Sequence, residues 1–132
     1  MKANEVMLGD WVMLTDPIHN GEKVQVKEIH TDCYITVDGG IVPMFEPIPL
    51  TKEIVEKNFS FFPYNGEGAI EHYYLLDDYY DVEISEYTDG LWEVVVDEVE
   101  MSDMPTWKMY VCHVHELQHA MRLVGIEKEI EL

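Results

Sequence analysis

The stretch that decides the fold runs Tyr80-Asp81-Val82-Glu83-Ile84-Ser85 and resumes, beyond Thr88-Asp89-Gly90, as Trp92-Glu93-Val94-Val95-Val96-Asp97. Apolar and polar side chains alternate along both halves, and a period of two places the two sets on opposite faces of a β-strand. Asp-Gly between such halves is typical of a tight turn. The stretch therefore predicts an antiparallel hairpin with one apolar face and one polar face.

The length of the turn decides which residues of this hairpin lie opposite each other. A three-residue loop at 88–90 pairs Val82 with Val96 and Ile84 with Val94, so that the apolar side chains share one face. A two-residue loop would instead move Val82 to the face that carries acidic side chains. We therefore predict the three-residue loop and its register.

The polar face of the hairpin carries the candidate binding residues. The predicted register places Asp81 opposite Asp97, and the alternation places Glu83 and Glu93 on the same face. Like charges directly opposite each other destabilise a sheet unless a cation lies near them. We predict that these four carboxylates contact a basic partner or a divalent cation; the alternative is that water alone solvates them.

The amino-terminal part of the chain predicts a second, smaller β structure. Residues 10–50 contain short apolar runs separated by Asn-Gly and Asp-Gly pairs, which indicate short strands and hairpins. The spacing of Gly9–Val12 and Gly21–Val26 is typical of an SH3-like barrel. We predict a small SH3-like β-barrel or curled sheet over residues 1–50, a fold that by itself assigns no function.

Prolines and capping residues predict the remaining elements. The stretch Phe45-Glu46-Pro47-Ile48-Pro49-Leu50 indicates an extended connector, because proline disfavours helices and central strands. Thr51 is a predicted N-cap for a short helix over 52–58. A longer helix is predicted from Cys112 to Val124, ending at Gly125 as a left-handed cap.

Together these elements predict an α+β fold. Residues 51–132 form an α+β unit in which antiparallel hairpins, a short helix and a packed carboxy-terminal helix share or adjoin the core of the first unit. The aromatic residues Phe59, Phe61 and Phe62 are predicted to cap that core rather than to line a ligand pocket. The alternation over 126–132 allows an additional edge strand.

The stretch His115-Glu116-Leu117-Gln118-His119 matches the H-E-x-x-H signature of zinc peptidases. Two histidines four residues apart share a helix face and can bind one metal ion, with the intervening glutamate as general base. A catalytic site also needs a third ligand from elsewhere. The extended signature H-E-x-x-H-x-x-G-x-x-H is not met, because Arg122 and Gly125 occupy the positions of Gly and His.

The helical wheel argues against the zinc site as well. One side of the predicted helix is apolar and would anchor it to a core; its residues are Val114, Leu117, Ala120, Met121 and Val124. We therefore predict that His115 and His119 face water and that the chain has no catalytic residue, no metal and no cofactor. Cys112, His115 and His119 lie close enough on the wheel to bind nickel, copper or zinc adventitiously.

The sequence is strongly acidic. The 132 residues carry 27 acidic and 8 basic side chains, a net charge of −19. No Lys or Arg occurs between Lys57 and Lys108, while thirteen carboxylates occur from Glu67 to Asp103. Direct nucleic-acid binding is disfavoured, because it depends on Lys and Arg that neutralise phosphates. The acidic surplus serves solubility, recruits a basic partner, or imitates nucleic acid.

Targeting signals and cysteine usage predict the compartment. The sequence has no apolar run of eighteen residues, and its first residues lack the basic and apolar layout of a secretory signal. Its two cysteines, Cys33 and Cys112, are far apart and outside any C-x-x-C spacing, as in proteins of a reducing compartment. We expect a cytoplasmic protein with no membrane partner.

Three short stretches suggest a relationship: Met1-Lys2-Ala3-Asn4-Glu5 with Gly9 and Val12, the connector Phe45–Thr51, and Val114-His115-Glu116-Leu117-Gln118 running to Gly125. On these stretches, the chain resembles a family of small uncharacterised proteins from gut bacteria and their phages or mobile elements. In that family, the position of His119 is typically Asn, which implies that the helix persists without a second metal ligand. The resemblance implies a bacterial or phage accessory protein and supplies no catalytic residue.

These observations lead to one hypothesis and two alternatives. The hypothesis is a non-enzymatic cytoplasmic binding or accessory protein whose partner is another protein, with a basic protein as the more specific form. The first alternative is an acidic nucleic-acid mimic that inhibits a DNA-binding protein. The second is a zinc-dependent hydrolase that uses His115, Glu116 and His119.

Overall fold

The computed structural model describes residues 5–29, 35–37, 40–42, 44–62, 71–76, 80–98 and 107–132. Within those ranges the chain forms eleven strands and two helices. In chain order they are β1 (Trp11–Leu14), β2 (Lys23–Gln25), β3 (Glu28–Ile29), β4 (Ile35–Val37), β5 (Gly40–Val42), β6 (Phe45–Pro47), α1 (Lys52–Asn58), β7 (Ser60–Phe62), β8 (His72–Leu76), β9 (Tyr80–Thr88), β10 (Leu91–Glu98), β11 (Trp107–Val111) and α2 (Val114–Leu123).

The described strands form three antiparallel sheets. Two are three-stranded, with the orders β2-β1-β6 and β3-β4-β5, and the third is five-stranded, with the order β11-β10-β9-β8-β7. Together with the two helices they confirm the predicted α+β class. Of the two forms expected for the amino-terminal part, barrel or sheet, the described residues form small sheets and no closed barrel.

The chain divides into two compact units. The first contains residues 1–49 and 113–119, and the second contains residues 50–112 and 120–132. Helix α2 is therefore divided, with its first turns in the first unit and its last residues in the second.

The core of the first unit forms around β1. Val12 and Leu14 are buried while the alternate residues of the strand are half-buried, as its alternating pattern requires. Both belong to a cluster of buried apolar residues: Val6, Val12, Leu14, Val26 and Phe45. The predicted connector begins as strand β6, which pairs Phe45 with Leu14 and Pro47 with Val12. This strand lies at the edge of its sheet, where a proline removes no ladder hydrogen bond.

The hairpin of β9 and β10 is the centre of the second unit. Val82 pairs with Val96 and Ile84 with Val94, which confirms the predicted register. All four side chains are buried, together with Trp92, whose indole N–H donates to the Leu50 carbonyl at 3.0 Å. The apolar face of the five-stranded sheet therefore faces the core of this unit.

The predicted three-residue loop of this hairpin is wrong, although its register is right. The strands reach Thr88 and Leu91, so that the turn consists of Asp89-Gly90. The ladder then passes from Leu91 opposite Thr88 to Trp92 opposite Glu86, which leaves Tyr87 as the extra residue of a β-bulge. The bulge therefore adds to the strand the one residue by which the turn is shorter than the predicted loop. The predicted three-residue loop and the observed two-residue turn with a bulge give the same register.

Helix α1 follows the predicted N-cap. The Thr51 hydroxyl accepts a hydrogen bond from the Ile54 amide at 3.4 Å. At the other end of the helix, Asn58 is buried; its side-chain amide donates to the Ile54 and Glu131 carbonyls and accepts from the Glu131 amide, each at 2.7 Å. The tail at 126–132 is therefore held by a side chain, and the edge strand that its alternation allowed does not form.

Helix α2 has the predicted apolar stripe and the predicted end. The residues of the stripe are all buried: Val114, Leu117, Ala120, Met121 and Val124. Gly125 adopts a φ of 84°, and the Ile126 amide then donates to the Met121 carbonyl, as in a glycine-terminated helix. Neither described helix combines the length and the apolar composition needed to span a bilayer.

Candidate functional sites: a histidine cluster and an acidic sheet face

The first turns of α2 bring three histidine rings together in the first unit. The ring of His115 stacks on that of His113, with centroids 5.7 Å apart, and meets the edge of His119 at 5.5 Å. His115 is only 8% exposed, so the prediction that it faces water is wrong. His119 is half-buried. The segment 9–11 contacts the polar side of the helix at Gln118 and His119, and the rings of His113 and His119 pack against His115.

Asp10 provides the first of these contacts. Its side chain is fully buried, and Oδ2 accepts a hydrogen bond from the Met7 amide at 2.7 Å. The same oxygen lies 2.6 Å from His119 Nε2. A buried carboxylate is tolerated only when charged or polar groups surround it, and here an amide and an imidazole do so.

Gln118 provides the second contact. This buried side chain accepts from the Trp11 amide at 3.0 Å and donates to the Gly9 carbonyl at 3.1 Å. It thus binds two backbone groups at the entry to β1, and the Gly9 carbonyl also accepts from the Gln25 side-chain amide at 3.3 Å. Together with the pair of Asp10 and His119, it gives the polar side of α2 a structural role.

His115 has an unusual electrostatic environment. Burial lowers its pKa; the Glu116 and Asp10 carboxylates oppose this shift, while His119 and His113 add to it. Its Nδ1 is buried and has no hydrogen-bond partner among the described residues. Both observations favour the neutral imidazole at neutral pH.

The H-E-x-x-H residues do not assemble a metal centre in the part of the chain that the structure describes. No group of three or more His, Cys, Asp or Glu side chains is placed there to hold an ion. Glu116 lies 2.8 Å from His113 Nδ1, and His119 Nε2 faces Asp10. The predicted adventitious trio of Cys112, His115 and His119 is therefore not brought together.

The second candidate site is the outer face of the five-stranded sheet. Asp81 lies directly opposite Asp97, as predicted. Glu83 and Glu93 lie at alternate positions of the same two strands, on the face opposite to that of the buried valines. The structure thus places all four predicted acidic residues on one face of the second unit.

These four carboxylates differ in their neighbours. Glu93 lies 3.8 Å from Lys108 Nζ on the next strand, and Glu83 contacts His72. The pKa of Asp81 is raised, first by partial burial and then by the charges of Asp97 and Glu83. Among the described residues, the charges that act on Asp81 are thus the negative ones of Asp97 and Glu83.

Two tyrosines extend the same face toward the turn. Tyr110 lies opposite Glu93 on the neighbouring strand, and the bulged Tyr87 meets its ring edge to face, with centroids 5.3 Å apart. Both rings are about half exposed. We refer to the surface formed by Asp81, Glu83, Tyr87, Glu93, Asp97 and Tyr110 as the acidic face.

The second unit also contains a cleft that the sequence did not predict. It has a volume of about 310 Å³ and is lined by Glu56, Phe59, Phe61, Glu71 and Tyr73. Phe59 is buried as expected of a core residue, whereas Phe61 is 53% exposed on the cleft. The run of phenylalanines was the only sequence signal, and it did not indicate which ring would remain accessible.

Comparison of the chain with protein-family models, with curated proteins and with solved structures finds no match. The proposed function therefore rests on the geometry and charge of each unit.

Proposed function

We propose that this chain is a non-enzymatic binding protein whose acidic face recruits a lysine- and arginine-rich protein. The observation that carries the proposal is the opposition of Asp81 and Asp97 across two paired strands. Like charges in that position destabilise the sheet; the pKa of Asp81 is raised first by partial burial and then by the charge of Asp97. A cationic side chain of a partner, bound between the two carboxylates, relieves this repulsion.

The two tyrosines support a protein partner over a simple counterion. Tyrosine is enriched in protein interfaces, and its ring attracts the guanidinium group of arginine. Tyr87 and Tyr110 are exposed beside Glu93, so that one arginine side chain could contact a ring and a carboxylate together. A metal ion would make no use of the rings.

The histidine cluster supports the non-enzymatic part of the proposal. Glu116 and His119, the general base and a metal ligand of a zinc peptidase, instead contact His113 and Asp10. Gln118, between them, satisfies backbone groups of the first unit. These contacts give the residues a structural role, as expected of a non-enzymatic accessory protein; its proposed origin in the bacterial or phage cytoplasm rests on the sequence resemblance.

A nucleic-acid mimic is the second candidate function. Its support is the stretch without Lys or Arg between Lys57 and Lys108, which contains all of β7 to β10. In this form of the proposal, the basic partner is a DNA-binding protein and the acidic face occupies its DNA site. Competition by duplex DNA for the bound partner distinguishes it from the broader proposal.

The experiment measures binding of an arginine-rich peptide to two double variants with the same charge change. Asp81→Asn/Asp97→Asn removes the opposed pair, and Glu127→Gln/Glu129→Gln removes two exposed charges from the tail. We expect the first variant to weaken binding about three- to tenfold, and the control by less than about twofold. Added salt should weaken binding to the unaltered chain, because exposed charges are screened.

Unfolding measured on the same variants separates lost binding from lost structure. Removing the like-charge pair should leave the sheet as stable as before or stabilise it by roughly a few tenths of a kcal/mol. Equal weakening by both double variants would mean that the peptide responds to net charge alone, and the acidic face would then have no specific role.

A further inference from the structure

The cleft in the second unit lies apart from the acidic face. One of its walls is Tyr73, which pairs with Ile84 and therefore belongs to the inner face of the sheet. Helix α1 contributes Glu56 and the edge strand β7 contributes Phe61, while Phe59 and Glu71 lie just before β7 and its neighbour β8. Its volume of about 310 Å³ is at the lower end of the range of small-molecule sites, roughly 300–1,000 Å³.

Aromatic rings form the apolar part of the cleft. Phe59 and Tyr73 are buried and hence fixed in place, whereas Phe61 is exposed at the rim. The rings of Phe61 and Tyr73 meet edge to face, with centroids 5.6 Å apart and planes at 63°. This contact holds the exposed Phe61 ring at the rim of the cleft, where a cation can reach it.

Two carboxylates form the polar part. The Tyr73 hydroxyl lies 3.2 Å from a Glu71 oxygen and 3.3 Å from a Glu56 oxygen. Because a hydroxyl has one hydrogen, it donates to one carboxylate at a time and keeps both within reach of the rings. The cleft therefore combines the negative charge of two carboxylates with aromatic walls.

Lys52 shows which chemistry these carboxylates accept. Its ammonium group lies 2.7 Å from Glu71 and 3.8 Å from Glu56. The side chains of all three residues are about half exposed, so that water reaches this ion pair and Lys52 can exchange with another cation. One lysine against two carboxylates leaves the cleft with a net negative charge.

We propose that the cleft of Glu56, Phe59, Phe61, Glu71 and Tyr73 binds an organic ammonium ion. The exposed ring of Phe61 contacts the alkyl groups of the cation, the buried rings of Phe59 and Tyr73 support it, and the carboxylates balance the charge. Lys52 is the intramolecular competitor, because its own ammonium group neutralises the same carboxylates. A small inorganic cation would use the carboxylates and leave the rings without a role.

The test is a titration of the ¹⁵N-labelled chain with tetramethylammonium chloride, followed by amide chemical shifts and compared with sodium chloride at equal ionic strength. tert-Butanol serves as the neutral ligand of similar shape. We expect saturable shifts in residues 52–61 and 71–76 with tetramethylammonium and much weaker ones with sodium or the alcohol. Equal responses to the alcohol or to sodium would overturn the proposal.

Three variants sharpen the test. Phe61→Leu should weaken binding about two- to fivefold, the effect of one exposed cation–π contact, while Tyr87→Leu, an equally exposed aromatic residue of the acidic face, should not change it. Lys52→Met should tighten binding, because it removes the competitor. Unchanged binding in Phe61→Leu, or weaker binding in Lys52→Met, would contradict the assigned roles.

A second set of ligands identifies the source of the ammonium group. Short peptides that carry lysine, trimethyllysine or norleucine at one position are titrated in the same way. Tighter binding of a lysine or trimethyllysine peptide than of the free ion indicates a protein side chain, and the reverse order indicates a small molecule. Binding of the norleucine peptide as strong as the charged ones would overturn the proposal.

Discussion

His115 is buried, and four ionisable side chains influence its charge: Glu116, Asp10, His119 and His113. Burial favours its neutral form, and the charges of Glu116 and Asp10 oppose that preference without removing it. Because the unfolded chain exposes this imidazole to water, the two states of the chain bind protons differently in the pH range where histidine titrates. His115 therefore makes the stability of the fold depend on pH.

The sign of that dependence follows from the lowered pKa of His115. Below the ordinary histidine pKa of about 6.5, the unfolded chain takes up a proton that the folded chain does not, so the free energy of unfolding falls as the pH is lowered from about 7. We expect His115→Leu to flatten this fall in urea unfolding measured at several pH values. An unchanged slope in His115→Leu would contradict the assignment.

The position of the histidines could not be predicted from the sequence alone. A helical wheel ranks the sides of a helix by apolarity, and on that basis α2 has one buried side, which the structure confirms. The second covered side depends on Gly9, Asp10 and Trp11, which lie 107 to 109 residues from their partners Gln118 and His119. Nothing in the local pattern indicates contacts over that separation.

At the scale of elements, the hairpin of β9 and β10 was predictable because its information is local. Alternation along Asp81–Ser85 and Trp92–Asp97 determines the faces, and the requirement that apolar side chains meet determines the register. The bulge at Tyr87 was not predictable, because a three-residue loop and a two-residue turn with a bulge give the same pairing. Strand β11 was missed, since Trp107 and Tyr110 are both exposed and obscure a period of two.

The turn of this hairpin provides a test at the same scale. Gly90 has a φ of 78°, and a Cβ added there would have no atom within 4 Å, so that a substitution changes backbone strain alone. We expect Gly90→Ala to lower the free energy of unfolding by about 1 kcal/mol. Gly90→Asn should lose less, because asparagine tolerates a positive φ; equal losses for the two variants would show that the turn does not depend on this conformation.

In the whole molecule, repulsion among the excess negative charges affects the stability of the fold more than individual ion pairs do. The net charge is −19; Lys52 and Lys108 are each about half exposed, so their pairs with glutamates contribute little. Self-repulsion of this kind destabilises the compact state more than the unfolded chain. Composition alone predicts this property, since it does not depend on where the residues lie.

We therefore expect sodium chloride to stabilise the protein. Raising the concentration from about 0.02 to 0.2 M shortens the Debye length to below about 10 Å and should raise the Tm by a few degrees, measured by circular dichroism. Potassium chloride at the same ionic strength should have the same effect, because screening does not distinguish the two cations. A Tm that is constant or falls over this range would contradict the prediction.

The order of synthesis determines when the contacts beside the first sheet can form. Gln118 and His119 must be present before they can contact Gly9, Asp10 and Trp11. A ribosome releases the amino-terminal strands long before it adds the residues that close them, because 109 positions separate Asp10 from His119. Until then, Asp10 has no imidazole beside it and keeps its carboxylate in water. The first unit is thus completed only after residue 119 has been synthesised, and nascent chains stalled before residue 118 should lack these contacts.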